Sequence, residues 1–321
     1  MKLIIFENEA IARKMYPITY LRPIFELRCG QTLMREKIER AAGQKMDLAL
    51  TRDEIAKAYA ARSGFKVNDL ASINDDVLIV NGRWLFMGKD QLPAAGAETV
   101  GTLNGELVYA RLNRQTVAKL EKCCPATFLR AAAAAAPAKE VQAKLISWPW
   151  ELPLVNAEAI RDDFARLGKS GIQGEMSDKA AIWGPADRVY AAKGSIIEPF
   201  VCLDTKEGPI IIEEDARINP FTRIEGPAVI GRKALILGAK IREGTTIGPV
   251  CRVGGEVEEA IMHAYSNKYH DGFLGHAYVC EWVNLGALTT NSDLKNDYSN
   301  VEVYVDGELI DTGSTKVGCC I

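Results

Sequence analysis

The stretch IEEDARINPFTRIEGPAVIGRKALILGAKIREGTTIGPVCRVGGEV, residues 212–257, places an aliphatic side chain at nearly every sixth position. These aliphatic positions are Ile212, Ile218, Ile224, Ile230, Leu235, Ile241, Ile247 and Val253. Four residues after each of them stands a small or β-branched residue, beginning with Ala216 and Thr222. An α-helix does not keep a period of six, whereas short parallel strands that meet at tight corners do. The stretch therefore predicts a parallel β-helix of hexapeptide repeats.

The six-residue phase fails after Val257 and returns at Phe273. Between them, residues 262–272 (MHAYSNKYHDG) are polar, aromatic and turn-forming, so we expect them to leave the coil as a loop and return to it. A polar loop that extends from a rigid scaffold is a common place for binding and catalytic groups. The three histidines of the chain lie in or beside this segment: His263, His270 and His276.

Residues 1–168 alternate short apolar runs with helical stretches. The strand-like runs are residues 3–6, 48–51 and 77–80, and the helix-like ones are residues 34–42, 54–61 and 158–167. Such alternation predicts a Rossmann-like α/β domain with a largely parallel sheet, whose ligands bind beyond the carboxyl ends of the strands. A glycine-rich, polar stretch follows. We therefore expect an α/β domain over residues 1–175 and a β-helix domain over residues 176–321.

Composition and charge exclude several classes of partner. The 39 basic and 42 acidic residues give a net charge of −3, which provides no overall attraction to nucleic acid or to an anionic membrane. We expect neither as a partner, since no apolar run approaches the length of a membrane span. The N-terminal apolar run is too short for a signal peptide, and the eight cysteines include no C-x-x-C motif. We expect reduced thiols and a cytoplasmic location.

Two motifs near the C-terminus resemble a known enzyme family. The run KYHDGFLGHA, residues 268–277, is followed by VNLGA, residues 283–287, and by Thr290-Asn291. Together they are similar to the acetyltransferase half of the bifunctional enzymes that acetylate glucosamine-1-phosphate and then uridylylate it. With the upstream motifs RPIFELRCG at residues 22–30 and WPWE at residues 148–151, nearly the whole chain resembles the divergent bacterial form of that family.

The resemblance implies a left-handed β-helix that assembles as a homotrimer, a nucleotidyltransferase-like domain in front of it, and acetyl-CoA as the acyl donor. It implies that His270 is the catalytic base. It also implies that Asn284 and Asn291 hold the sugar phosphate and the acetyl group. Phe273 departs from the better-known branch of the family, which has tyrosine there, so one hydroxyl contact to the substrate is missing or is supplied by another residue.

Acetyl transfer to an amino sugar requires a neutral amine, a proton acceptor, and donors for the oxyanion that forms when the thioester carbonyl is attacked. Histidine suits the acceptor role because its unperturbed pKa of about 6.5 lies near working pH. Backbone N–H groups of residues 272–275 are candidate oxyanion donors. Lys268 and Lys295 are candidate ligands of the sugar's phosphate. The alternative for His270 is a surface histidine without a role.

Three clustered histidines also invite comparison with the zinc site of carbonic anhydrases of the left-handed β-helix type. Zinc needs ligands that converge on one point, and the spacings of seven and six residues put His263 and His276 at unrelated points. We expect His276 to face solvent and His263 to be a polar loop residue. We predict no metal site.

The first domain lacks several features of an ordinary sugar nucleotidyltransferase. Such an enzyme needs a glycine-rich loop around the triphosphate, a lysine that draws charge from the phosphates, and carboxylates for Mg²⁺. This chain has no glycine before Gly30, Ile24 where the lysine is expected, and Gly82-Arg83 in place of Gly-Asp. Another set of residues is an alternative, namely Arg13, Lys14, Arg22 and Arg28. Mg²⁺ is expected only if this domain is active.

The chain ends at Cys319-Cys320-Ile321, inside a new hexad and without a capping helix, so we expect the native protein to continue. A hairpin is predicted within residues 300–313, which contain Asp306-Gly307. Together these observations favour an acetyl-CoA-dependent N-acetyltransferase that acts on an amino-sugar phosphate similar to glucosamine-1-phosphate, with uridylyl transfer by the first domain. The alternative is a non-catalytic protein that binds a nucleotide sugar or supports assembly.

Overall fold

The computed structural model describes residues 1–94 and 96–321. Packing divides the chain into an N-terminal unit, residues 1–27 and 33–147, and a C-terminal unit, residues 28–32 and 148–321. This packing boundary lies upstream of the expected domain boundary at residue 175, because the long helix before the coil packs with the coil. The boundary at residue 175 remains a prediction. No helix in the described part of the chain is both long and apolar enough to cross a membrane.

The first half of the chain contains most of the helices. Its elements are β1 (Lys2–Phe6), α1 (Glu9–Lys14), a 3₁₀ turn (Ile24–Glu26), β2 (Arg28–Cys29), β3 (Thr32–Leu33), α2 (Met34–Ala42), β4 (Leu48–Leu50), α3 (Asp53–Ser63), β5 (Lys66–Val67), a 3₁₀ turn (Leu70–Ser72), β6 (Val77–Asn81), β7 (Thr99–Leu103), β8 (Glu106–Leu112), α4 (Arg114–Lys119), α5 (Pro125–Ala133) and β9 (Ala138–Glu140).

The N-terminal unit is built on a sheet of order β5-β4-β1-β6-β8-β7-β9. Strands β5, β4, β1 and β6 run parallel, and β8 runs antiparallel to β6 and β7. Successive side chains of β1 face opposite sides, so Ile4 packs in one apolar cluster and Leu3 and Ile5 pack in another. Both faces of the sheet are therefore covered, which explains why its strands are continuous apolar runs. The predicted α/β class is confirmed.

The second half of the chain contains one long helix followed by short strands. Its elements are α6 (Glu151–Leu167), β10 (Gly171–Ile172), β11 (Glu175–Met176), β12 (Ala181–Trp183), a 3₁₀ turn (Ala186–Arg188), β13 (Val189–Ala191), β14 (Ile196–Ile197), β15 (Cys202–Asp204), β16 (Ile210–Ile212), β17 (Arg217–Ile218), β18 (Arg223–Glu225), β19 (Ala228–Ile230), β20 (Leu235–Ile241), β21 (Thr245–Ile247), β22 (Arg252–Glu258), β23 (Ile261–Met262), β24 (Asn267–Lys268), β25 (Phe273–Gly275), β26 (Tyr278–Val279), β27 (Glu302–Val305) and β28 (Glu308–Asp311).

These short strands form a parallel β-helix with three faces. The first face has the order β10-β13-β16-β19-β21-β23-β26. The second face runs through β11, β14, β17, β20, β22 and β24, and the third runs through β12, β15, β18, β20, β22 and β25. Strands β20 and β22 turn a corner and therefore serve both faces. The predicted left-handed parallel β-helix of hexapeptide repeats is confirmed as the fold class of this unit.

The expected loop over residues 262–272 is wrong, because this segment stays in the coil. Met262 pairs with Ile247 on the first face, and β24 pairs with β22 on the second. The hexad pattern is interrupted here because Lys268, rather than an aliphatic residue, stands opposite Val253. The excursion at residues 300–313 does form the predicted hairpin, of β27 and β28.

The helix α6 covers the outer side of the first face of the β-helix. Ile160 of α6 packs in one apolar cluster with outward residues of this face, such as Ile211 and Val229. Beside them, the fully buried side chain of Asn156 accepts a hydrogen bond from the Gly30 amide at 2.7 Å. The same side chain donates to the Gly244 carbonyl at 2.7 Å. Asn156 thereby ties residues 28–32 and the coil to α6.

We predict that Asn156→Ala destabilises the C-terminal unit by about 1–3 kcal/mol, because it leaves a buried amide and a buried carbonyl without partners. The midpoint of thermal unfolding measures this loss. Arg166→Ala on the same helix is the control, since its exposed ion pair with Asp162 contributes less than about 1 kcal/mol. Equal midpoints for the two variants would contradict the role given to Asn156.

Candidate functional site

A notch of about 250 Å³ opens at one corner of the β-helix. Its lining residues are Gly238, Lys240, Gly255, Glu256, Asp271, Gly272 and Phe273. In the earlier coils this corner holds Phe200 and Phe221, which are exposed and stacked with ring centres 5.5 Å apart. In the later coils Gly238 and Gly255 occupy this corner, with positive φ values of 57° and 70°, and they have no side chain that would fill it. The change from phenylalanine to glycine therefore creates the notch.

His270 immediately precedes the lining residues, and it is exposed. Its ring meets that of Tyr269 edge to face, with centres 5.4 Å apart. The other two histidines are buried, so the expectation that His276 faces solvent is wrong. His263 lies outside the strands, between β23 and β24, but its side chain is not exposed. His263 is 5% exposed and its Nδ1 lies 3.0 Å from the Tyr278 hydroxyl. Of the three histidines, His270 is therefore the one that an external substrate can reach.

Sequence reasoning did not predict Lys240 and Glu256, two of the charged residues that line the notch. Lys240 pairs in register with Glu256, which pairs in register with Phe273, so all three point outward from the same column of the third face. The Lys240 ammonium lies 3.7 Å from a Glu256 carboxylate oxygen and is largely exposed. The strand register could have identified them, because Lys240 and Glu256 lie on successive coils in the same column as Phe273.

The backbone of the turn at residues 270–273 directs its carbonyls toward the protein. The His270 carbonyl accepts from the Lys268 ammonium at 3.2 Å, and the Asp271 carbonyl accepts from the Leu288 amide at 2.9 Å. The Gly272 carbonyl accepts from Lys268 at 2.7 Å. In contrast, the amide N–H groups of Asp271 and Gly272 meet no acceptor in the described chain. These two amides are therefore available to an external oxygen atom.

The expected set of oxyanion donors changes accordingly. Of the predicted stretch 272–275, the Phe273 amide donates to the Thr290 hydroxyl at 3.2 Å. The Gly275 amide donates to the Asn291 side chain at 3.3 Å. Two of the expected donors, the N–H groups of Phe273 and Gly275, are thus already hydrogen-bonded within the protein. The N–H groups of Gly272 and Asp271 remain available.

Lys268 does not fit the expected role of a phosphate ligand. It is 1% exposed, and its ammonium donates to the carbonyls of Gly254, His270 and Gly272. Burial lowers the pKa of this ammonium, and Asp271 opposes that change. The side chain points inward because Lys268 continues the inward column of the second face beyond Val253.

The other predicted substrate ligands lie on the coil and segment that follow. Asn284 is exposed, and its Oδ1 accepts from Asn267 at 2.7 Å. The amide of Asn291 is used on both sides by the backbone of Gly275, at 3.3 and 3.0 Å. The exposed ammonium of Lys295 donates to the Asn300 carbonyl at 3.1 Å. Asn284 and Lys295 are therefore at the surface, whereas Asn291 holds the backbone.

His276 fastens the segment that carries Asn291 to the coil. Its Nδ1 lies 2.7 Å from an Asp293 carboxylate oxygen, and its Nε2 contacts Glu259. Burial alone would lower the pKa of His276, but its hydrogen bonds to Glu259 and Asp293 outweigh burial and raise the pKa above 6.5. The same contact lowers the pKa of Glu259 below its ordinary 4.5. His276 and Glu259 therefore stay oppositely charged over a wider pH range than their ordinary pKa values would give, and together with Asp293 they form a clasp.

We predict that the stability advantage of the wild type over His276→Gln is larger at pH 6 than at pH 9. A folded-state pKa above the unfolded value gives stability that is complete below about pH 6.5 and is lost as the pH rises through the folded-state pKa. Unfolding midpoints at the two pH values measure the difference. An equal advantage at both pH values would contradict the clasp.

The N-terminal unit has a separate cavity of about 530 Å³ beyond the carboxyl ends of β1 and β4. Its lining residues are Phe6, Glu7, Asn8, Glu9, Ala10, Leu50, Thr51, Arg52, Asp53, Glu106, Leu107, Cys124, Pro125, Ala126, Leu129, Arg130 and Ala133. This is the edge at which ligands bind in open α/β sheets. The cavity therefore lies where the parallel sheet predicts a ligand.

A buried ion pair stands at the base of this cavity. Arg52 Nη1 lies 2.9 Å from the Glu7 carboxylate, and both side chains are fully buried. Burial raises the pKa of Glu7, whereas Arg52 opposes that change. The amide of Ile24 also donates to Glu7, at 3.1 Å. Instead of a glycine-rich loop, β1 is followed by this pair and at once by α1, whose first turn is capped by Asn8.

The structure does not bring the four predicted nucleotide ligands together. Arg13 pairs with Glu9 and Glu54 on the surface, Lys14 is half-buried at the end of α1, and Arg22 is buried. Arg28 belongs to the C-terminal unit, where its guanidinium donates to the His263 carbonyl at 3.1 Å. The arginines that line the cavity are Arg52 and Arg130. No cluster of three metal-ligating side chains occurs in residues 1–94 and 96–321.

The chain thus combines an α/β unit that has a cavity at its strand ends with a hexapeptide β-helix that has a polar notch. The family model for sugar nucleotidyl transferases matches residues 3–171. Because this match covers more than half of the chain, the protein belongs to the sugar nucleotidyl transferase family.

Curated relatives are named as bifunctional transferases. The chain is 36% identical over 150 residues to a bifunctional sugar-1-phosphate nucleotidylyltransferase/acetyltransferase of Sulfurisphaera tokodaii, covering 43% of this chain and 35% of the relative. It is 26% identical over 182 residues to the bifunctional protein GlmU of Heliobacterium modesticaldum, covering 51% and 39%. A GlmU protein of Acidithiobacillus ferrooxidans is 35% identical over 125 residues, covering 32% and 27%. Each match spans well under half of the relative's length.

Proposed function

We propose that the β-helix transfers an acetyl group from acetyl-CoA to the amine of an amino-sugar phosphate similar to glucosamine-1-phosphate. The observation that carries this proposal is the exposed His270 beside a notch that has free amides and a lysine. The names of the relatives support the reaction class.

The reaction begins with the neutral amine of the sugar, which attacks the thioester carbonyl carbon. A C–N bond forms, and the carbonyl oxygen becomes an oxyanion that accepts hydrogen bonds from the Asp271 and Gly272 amides. His270 takes the proton of the amine. When the intermediate collapses, the C–S bond breaks and the proton passes from His270 to the sulfur of the leaving CoA. The products are the N-acetyl sugar and free CoA.

Charged residues of the notch suit the acceptor sugar. Lys240 is exposed and lies on the coil below Glu256, so its ammonium is free to turn toward a phosphate group. The carboxylates of Glu256 and Asp271 suit the protonated form of an amino sugar before it loses its proton. We propose Lys240 as the phosphate ligand in place of Lys268. Asn284, on the next coil, and Lys295, on the segment after it, are proposed as further ligands.

The N-terminal unit, in this proposal, is the site of sugar nucleotidyl transfer, and uridylyl transfer to the acetylated sugar phosphate is its reaction. Arg52 and Arg130 line a cavity that is large enough for a nucleotide. Mg²⁺ would enter with the triphosphate. Against this activity stands the Glu7–Arg52 pair, which occupies the base where a phosphate-binding loop is expected. This observation favours a second candidate, a unit that binds a nucleotide sugar or supports assembly without turnover.

The full protein is proposed to be a cytoplasmic homotrimer. Exposed aromatic pairs at the corners of the coil are consistent with contacts to further copies of the chain. Tyr265 and Trp282, for example, stack with ring centres 5.1 Å apart and are 42% and 78% exposed.

We predict that His270→Ala lowers kcat for release of free CoA by about 10²–10⁴-fold with glucosamine-1-phosphate as acceptor, because the general base is lost. A thiol-reactive dye follows the release. Tyr269→Phe is the matched control, since it keeps the ring beside His270, and it should retain the wild-type rate. An unchanged rate of CoA release in His270→Ala would contradict the acetyltransferase proposal.

We predict that Arg130→Ala weakens the binding of UTP with Mg²⁺ by about tenfold, because one charged contact to phosphate is lost. Calorimetry on the wild type and the variant measures this change. Arg114→Ala, at an exposed arginine on another helix of the same unit, is the control. If the wild type binds UDP-sugar but does not react with UTP, the second candidate function is favoured instead.

A further inference from the structure

The inward column of the second face is aliphatic until it reaches the turn of His270. In register, Ile197 is followed by Ile218, Ile236 and Val253. The next residue of this column is Lys268, which pairs with Val253. A charged group inside a β-helix loses hydration, so it costs free energy unless it finds hydrogen-bond acceptors. The position of this lysine therefore needs an explanation beyond filling the core.

The acceptors of the Lys268 ammonium are three backbone carbonyls at the corner. Gly254, one coil below, accepts at 3.0 Å. His270 and Gly272, in the turn itself, accept at 3.2 and 2.7 Å. The ammonium thus joins two stacked corners from the inside. A Cβ atom on Gly255 would lie 2.8 Å from this nitrogen, so glycine at the corner is also required for the lysine to reach its acceptors.

The planar peptide bond links the direction of the His270 carbonyl, which is held from inside the coil, to the direction of the N–H group of the same peptide. In a planar trans peptide, the C=O and N–H groups point in opposite directions. Lys268 draws the His270 carbonyl inward, so the N–H of the same peptide, which belongs to Asp271, points outward. This amide meets no acceptor within residues 1–94 and 96–321. The Leu288 amide holds the next carbonyl, that of Asp271, and leaves the Gly272 amide free in the same way.

We propose that Lys268 is a positioning residue that aims the His270–Asp271 peptide, so that the Asp271 amide serves as a preorganised oxyanion donor beside the His270 base. This inference rests on the proposed acetyl transfer and names the part of the site that organises its transition state. A donor held in place before the reaction needs no rearrangement when the charge develops. Lys268 contributes without touching the substrate.

Lys268→Met tests the proposal, because methionine fills a similar volume with apolar atoms, as the rest of the column does. We expect kcat for CoA release to fall by about 10²–10³-fold, the range for loss of an oxyanion donor, with KM for acetyl-CoA changed by less than about threefold. Val253→Ala is the matched control for lost core packing, since it truncates the preceding residue of the column. It should lower the unfolding midpoint at least as much as Lys268→Met and leave kcat near the wild-type value.

A second readout does not depend on activity. The Glu256 and Leu288 amides donate to the Gly272 and Asp271 carbonyls, so their hydrogen exchange reports on the order of the turn. We expect both amides to exchange faster in Lys268→Met by about tenfold or more, while the Ile261 amide, which donates to Ala277 elsewhere in the coil, keeps its wild-type rate.

The outcomes separate this inference from the proposed function. A wild-type protein that releases no CoA overturns the proposed function and the catalytic part of the inference with it. An active wild type with unchanged kcat in Lys268→Met overturns the inference alone, as does unchanged exchange at Glu256 and Leu288. An equal loss of kcat in Val253→Ala also overturns it, because general core damage then explains the effect.

Discussion

The inward columns of the β-helix impose the constraint on which the C-terminal unit depends. Each short strand of the coil contributes at least one side chain to the interior, and such a side chain must fill its space and satisfy any polar atom that it carries. From Ile197 to Val253, aliphatic residues meet this condition without directional demands. Lys268 meets it only by drawing backbone carbonyls inward. The amide N–H groups that the turn presents at its surface follow from this requirement in the interior.

Much of the fold could be predicted from the sequence, because the governing patterns are local. The hexads before Val257 predict which residues face inward, and most of these residues do form the apolar interior of the coil. Leu235 is an exception, because its neighbour Ile236 takes the inward position beside Ile218. In the first half, the runs at residues 3–6, 48–51 and 77–80 correspond to the parallel strands β1, β4 and β6. These strands are buried on both faces, so they appear in the sequence as unbroken apolar runs.

The prediction failed where a polar residue took an apolar position. Residues 262–272 were expected to form a loop because they are polar, aromatic and turn-forming, but the aliphatic stem and the carbonyl partners of Lys268 allow this residue to remain in the coil. His276 was expected at the surface, but Asp293, seventeen residues away in sequence, buries it as an ion pair. Such compensation depends on partners that are distant in sequence. The same holds for the Glu7–Arg52 pair, which joins the ends of β1 and β4.

The accessibility of the three histidines provides the most direct test of the account. His270 is exposed, whereas His263 and His276 are 5% and 3% exposed. Diethyl pyrocarbonate should therefore modify His270 first, and the rate of that modification, followed by mass spectrometry, should match the rate at which acetyl transfer is lost. Glucosamine-1-phosphate together with CoA should slow both rates equally. Full acetyl transfer by protein in which His270 alone is modified would contradict the central claim that this histidine is the base.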